Sequence, residues 1–228
     1  MADRPPDEVA ERPGRRRWWV GPLLVGAAVG LAVAGTLTLL IDHEPAGSAA
    51  GATPDFGRGT ALAWASGERP APDVTLRDQD GKEVTLSSLQ GRPVVLAFLN
   101  TLCTDICPVQ GRQLSDLATM LPDERRPTVV AVSVNPDDTP VSARAAARDW
   151  GWNDLRWLWL MGTRTQLQPV WRDYWIIAKP SDAEGQVHHT GALYLIDANG
   201  DVRAAYTVPI PMPRLLGDIE TLEHGTGG

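Results

Sequence analysis

The chain has 228 residues, of which 43% are hydrophobic, and its 28 Asp and Glu outnumber 21 Lys and Arg to give a formal net charge of −7. That length allows one domain comfortably, and the acidic balance excludes the usual nucleic-acid binder, which carries a basic face. Nine tryptophans imply a well-filled aromatic core, whereas only two residues are cysteine.

Residues 1–17 read as a charged tail that is disordered by composition, with Arg12, Arg15, Arg16 and Arg17 crowded at its end. From Trp18 to Ile41 there is no charged side chain. At about 1.5 Å of rise per residue, this stretch is long enough to cross a hydrocarbon layer of roughly 30 Å. The arginines precede it and Asp42 and Glu44 follow. The positive-inside rule therefore places residues 1–17 in the cytoplasm and the rest beyond the cell membrane, with Trp18 and Trp19 as interfacial anchors. The competing reading is a cleaved signal peptide ending at Ala32-Val33-Ala34. A signal core runs only about 7–15 residues and this one runs past that triplet, so a single uncleaved transmembrane helix at 18–41 is the expectation. Either way the remainder is exported, and disulfides persist outside the cytosol.

Residues 42–69 read as a linker, rich in Gly, Ala, Ser and Pro between Pro45 and Gly59. One domain then spans 70–223, with 224–228 as a tail. Asp78-Gln79-Asp80-Gly81 marks a hairpin turn ahead of Val84–Leu89. Val94–Leu99 is a continuous apolar run bounded by Gly91-Arg92-Pro93, the pattern of a buried strand. Pro108–Leu121 carries Leu114, Leu117 and Leu121 at helical spacing, with Pro108 suited to a first helical position. Thr128–Val134 is a second buried strand. Thr139–Trp150 reads as a helix capped by Thr139 with Pro140 after it. Leu155–Met161 is a third strand and Thr163–Tyr174 a further helix. Ala192–Ile196 and Val202–Tyr206 flank Asp197-Ala198-Asn199-Gly200, a hairpin signal, and Pro211–Glu223 closes the chain as a helix. This order gives an α/β class and resembles the thioredoxin fold, with the N-terminal addition of its redoxin-type members.

Cys103 and Cys107 stand four apart in Leu102-Cys103-Thr104-Asp105-Ile106-Cys107-Pro108, between the first central strand and the following helix. A helix N-terminus favours the thiolate, so the spacing predicts an activated Cys107. Such a pair is a redox switch, part of a metal site, or a structural disulfide; the last yields little, because so short a loop removes little entropy from the unfolded chain. Two thiolates leave a soft metal short of ligands. Of His43, His188, His189 and His224, only His188 and His189 precede a strand expected to face the cysteine loop. Two thiolates with one imidazole suit Cu(I). Structural zinc normally takes four protein ligands, with His188 or an aspartate the candidates for the fourth.

Three segments together carry a more specific resemblance. Phe98 to Pro108, Ser133-Val134-Asn135-Pro136-Asp137-Asp138-Thr139-Pro140, and His188-His189-Thr190 ahead of a strand and Asp197 resemble the three motifs of the Sco/SenC family, in that family's order. The resemblance implies a membrane-tethered, thioredoxin-fold protein that binds one copper, Cu(I) or Cu(II), through two cysteines and a histidine. Such a protein helps to build the dinuclear copper centre of cytochrome c oxidase, by metal delivery or by reducing that centre's cysteines. Its implied partners are the copper-centre subunit and a copper donor or thiol reductant. Residue by residue, the implied ligands are Cys103, Cys107 and His189, and Asp105 is a group that supports the loop. Thr104, His188 and Asn135 stand where the family commonly has proline, aspartate and an acidic residue. The leading expectation is a copper chaperone rather than a turnover enzyme. The principal rival is a thiol–disulfide oxidoreductase cycling Cys103 and Cys107 between dithiol and disulfide, and a peroxiredoxin-like peroxidase is a weaker third.

Overall fold

The computed structural model describes residues 62–180, 182–183 and 186–224. The basic tail and the apolar stretch 18–41 lie outside the described residues, as does most of the linker. Among the described residues no helix is long and apolar enough to cross a membrane.

A six-stranded mixed sheet forms the centre, in the order β1-β8-β7-β4-β5-β6. Its strands are β1 (Leu62–Ala63), β4 (Val94–Leu99), β5 (Thr128–Ser133), β6 (Trp157–Leu160), β7 (Ala192–Ile196) and β8 (Val202–Thr207). A separate hairpin of β2 (Thr75–Arg77) and β3 (Glu83–Thr85) precedes β4. The short edge strand β1 falls inside the segment read as linker, because Leu62 and Ala63 pair with Ala205 and Ala204 of β8. No composition signal marks a two-residue strand whose partner lies at the far end of the chain.

Period-two alternation divides the central strands between two apolar layers. Val95, Ala97, Leu99, Val129 and Ala131 face one layer, and Val94, Leu96, Phe98, Val130 and Val132 face the other. The first layer is covered by α1 (Ile106–Ser115), α2 (Leu117–Met120), α3 (Pro140–Asp149) and α5 (Met212–His224); the second is covered by α4 (Arg164–Asp173) and the β2–β3 hairpin. Trp150, Trp152, Trp157 and Trp159 cluster in the first layer with ring centroids 5.5–6.0 Å apart, which accounts for four of the nine tryptophans.

Strand direction brings the three sequence motifs together. β4 and β5 are parallel, and β7 is antiparallel to β4. The residues after β4, the residues after β5 and the residues before β7 therefore all emerge at one end of the sheet. The cysteine loop, Asn135–Thr139 and His188–His189 are those three segments.

Candidate metal centre

The helix after β4 starts two residues earlier than its apolar spacing predicts. Asp105 is the N-cap, its carboxylate accepting the Ile106 N–H at 2.5 Å, so Cys107 and Pro108 both lie in the first turn. The spacing also predicts one helix as far as Leu121, but it breaks at Asp116 into α1 and α2. Cys103 is 8% exposed and Cys107 fully buried, and both thiols are free.

The cysteines are not equivalent. Cys103 donates its S–H to Asp105 Oδ1 at 2.9 Å and accepts the Cys107 N–H at 3.3 Å. Its pKa is lowered, first by the Cys107 side chain as a hydrogen-bond donor to its sulfur. Cys107 moves the opposite way, because Cys103 takes its proton in a hydrogen bond and burial disfavours its thiolate. The expectation that the helix N-terminus activates Cys107 is thus reversed. The hydrogen bond to Cys103, and then burial, raise Cys107, and the more acidic thiol is Cys103 at the mouth of the loop. Asp105 is held below its ordinary range chiefly by the Cys103 thiol.

His189 sits just before β7, half-buried, with Nε2 3.6 Å from Cys107 Sγ and Nδ1 2.9 Å from the Thr190 carbonyl. A carbonyl only accepts, so Nδ1 carries the proton and the Nε2 lone pair faces the thiol. Burial lowers the imidazole's pKa and keeps it neutral. His188 is exposed; with Cys103, Asp105, Gln186 and His189 it lines a hollow of about 300 Å³ over the cysteine loop. Cys107 and His189 are therefore brought into contact, Cys103 is turned onto Asp105, and His188 stays at the mouth. Among the described residues no three His, Cys, Asp or Glu side chains already close on a common point.

Of the groups that hold the loop, Asn100, Thr101, Asn135 and Asp138 lie within the motif segments, whereas Gln186 carried no signal in the sequence. Gln186 grips it from the opposite side, donating to the Leu102 carbonyl and accepting the Thr104 N–H at 3.4 Å. Asn100 Oδ1 accepts the Leu102 N–H at 3.0 Å and the Asn135 amide at 3.4 Å. Asn135 Oδ1 in turn accepts the Asp137 N–H at 3.0 Å. That chain needs a side chain that both donates and accepts, which an ionised carboxylate at 135 does not provide. Thr101 donates to Asp138 from its backbone and its hydroxyl.

Residues 65–223 match the family model SCO1/SenC. The SCO1 protein homolog of Bacillus subtilis is 29% identical over 136 residues, covering 58% of this chain and 70% of that protein. The structure of Bradyrhizobium japonicum ScoI with copper bound is 26% identical with a TM-score of 0.58, over 67% of this chain and 99% of that one. BsSco, a member of the Sco family of cytochrome c oxidase assembly proteins in which a disulfide switch is identified, is 25% identical. It aligns with a TM-score of 0.60 over 73% of this chain and 98% of its own. The mixed α/β architecture is that of these thioredoxin-like structures, and the chain belongs to the SCO1/SenC family.

Proposed function

We propose that this chain is a copper-binding protein, tethered to the cell membrane by residues 18–41 with its domain on the extracytoplasmic side. In this reading it holds one copper ion through Cys103, Cys107 and His189 and serves the assembly of the dinuclear copper centre of cytochrome c oxidase. The observation that carries the reading is the contact at Cys107. A neutral imidazole is locked in one tautomer by the Thr190 carbonyl and presents its free Nε2 to a buried sulfur 3.6 Å away. Two thiols and one imidazole fit Cu(I), a soft ion that three such donors satisfy. Asp105 holds the Cys103 proton until that sulfur turns inward, and the Cys107 N–H steadies the thiolate that forms. Bound copper would be the cargo passed to a client subunit presenting its own soft ligands.

The purified full-length chain, reduced, is expected to take up about one Cu(I) per molecule, the stoichiometry of a single three-donor site. His189→Ala should weaken Cu(II) binding far more than His188→Ala, because only His189 faces a sulfur. Equal losses would overturn the histidine assignment alone. Detergent, and not salt, should release the chain from membranes.

Exchange of thiols for disulfides is a second reading, favoured by the split between the two cysteines. The Cys103 thiolate would attack one sulfur of a client disulfide and Cys107, once deprotonated, would close on Cys103. The client is then reduced and this chain oxidised by two electrons. A reduced chain that binds no copper yet reduces the disulfide of a client would replace the copper reading with this one.

A further inference from the structure

Asp138 is 8% exposed, and its two oxygens are treated very differently. Oδ1 accepts the Thr101 N–H at 3.1 Å and the Thr101 hydroxyl at 2.5 Å, while Oδ2 is buried with no hydrogen-bond partner. Thr101 lies two residues before Cys103, and its hydroxyl also meets Ser142 Oγ at 3.0 Å. A buried carboxylate oxygen without a partner costs stability. An asparagine would accept from Thr101 without bringing a charge into the core. The aspartate is thus a poor choice for the fold and a good one for gripping Thr101, because a charged acceptor makes shorter and stronger hydrogen bonds.

We propose that Asp138 is a positioning residue for the cysteine pair. Acting through Thr101, it holds the Cys103 end of the loop where the Cys107 N–H and thiol reach the Cys103 sulfur. The group is placed to do this in its ionised form near neutral pH. Burial, the largest influence, pushes its pKa up to about 6 against the hydrogen bonds from Thr101 and the pull of the Ser133 hydroxyl, which lies nearby without hydrogen-bond geometry to either oxygen. The charged groups around it are Asp137 on its own loop and Arg77 and Asp78 of the β2–β3 hairpin, which line the same surface hollow. Beyond them Arg144 is engaged by Asp80 at 2.7 Å. Arg77 is committed to the Gly81 carbonyl at 2.8 Å, so no cation is bonded to Asp138.

This inference builds on the two-cysteine site proposed above, but its test uses no copper. The experiment is alkylation of Cys103 by iodoacetamide in the reduced full-length chain, read by peptide mass across pH 5 to 9 in wild type, Asp138→Asn and Thr101→Val. Both substitutions should slow alkylation at pH 7 roughly threefold, because the Cys103 sulfur loses the Cys107 donors that favour its reactive thiolate. Wild type should also show an inflection near pH 6 that Asp138→Asn lacks. A through-space effect of the charge predicts the opposite sign. Removing an anion favours the thiolate, so Asp138→Asn alone would speed alkylation and Thr101→Val would do nothing. That result, or unchanged profiles in both variants, overturns the proposal. Circular dichroism of each variant shows that the fold is intact, and the near-isosteric Thr101→Val stands in if Asp138→Asn does not fold.

Discussion

Two buried aspartates sit at opposite ends of the same sheet and are handled in opposite ways. Asp197, 6% exposed at the β7–β8 turn, accepts the Asn199 and Asp201 N–H groups at 2.9 and 3.0 Å and pairs with Arg203 at 3.1 Å. Asp138, 8% exposed at the cysteine end, has no cation and leaves one oxygen unpartnered. Gln110, on α1 three residues after Cys107, is fully buried with neither side-chain atom bonded. Among the described residues the fully buried, unpartnered side-chain atoms belong to Gln110 and Asp138 alone. Both residues lie on segments that flank the cysteines. The end remote from the cysteines satisfies its polar groups, and the cysteine end leaves some unsatisfied. Local rules of polar satisfaction are broken where function asks for something else.

The largest effect should come from breaking the satisfied end. Arg203→Ala removes the cation from Asp197 and the donor to the Trp64 carbonyl at 3.1 Å, leaving a buried carboxylate held by turn amides alone. A loss of about 3 kcal/mol in urea unfolding is expected, with the alkylation profile of Cys103 unchanged. A loss below about 1 kcal/mol would place this pair with exposed salt bridges and remove the contrast.

Asp138 comes next, with the sign reversed. Its folded pKa is raised, so between the ordinary carboxylate range and about 6 the folded chain keeps a proton that the unfolded chain has lost. Stability therefore falls as pH rises through that window and is flat above it. Asp138→Asn should remove this dependence and unfold later at pH 7, by roughly 2 kcal/mol. An equal slope in wild type and variant between pH 4 and 6 would mean that Asp138 is ionised without cost.

Sequence reading located the central strands because each is a run of apolar residues long enough to be buried on both faces. Ala192–Ile196 appears at its predicted bounds and Val94–Leu99 likewise, since turn residues flank both. Helix starts were less legible. Thr139 caps α3 through a capping box with Ser142, as its neighbouring proline suggested, but Asp105 drew α1 forward because a carboxylate can cap as well as serve a metal site. The cysteines and His189 were legible as a constellation through three motifs. The inequality of the two thiols was not, because it depends first on the hydrogen bond between their side chains and then on burial, neither of which spacing encodes. Gln186 reaches the loop across more than eighty residues of chain, with no local pattern to announce it.

Gln110 gives the smallest effect and the most direct test of what an unsatisfied group at this end is for. Gln113, one turn along the same helix, spends both ends of its amide on the Ile210 backbone at 3.0 Å, so the helix does not prevent such bonding. Gln110→Met keeps length and flexibility and removes a buried donor and acceptor that have no partner. Replacing such groups by apolar ones of like shape is neutral or stabilising, and a gain of about 1 kcal/mol in urea unfolding is expected. If Gln110 only burdens the fold, Cu(I) uptake and Cys103 alkylation stay at wild-type values while stability rises. If stability falls instead, the amide is paying its way through a contact with the loop, and the cysteine end is better satisfied than its geometry shows.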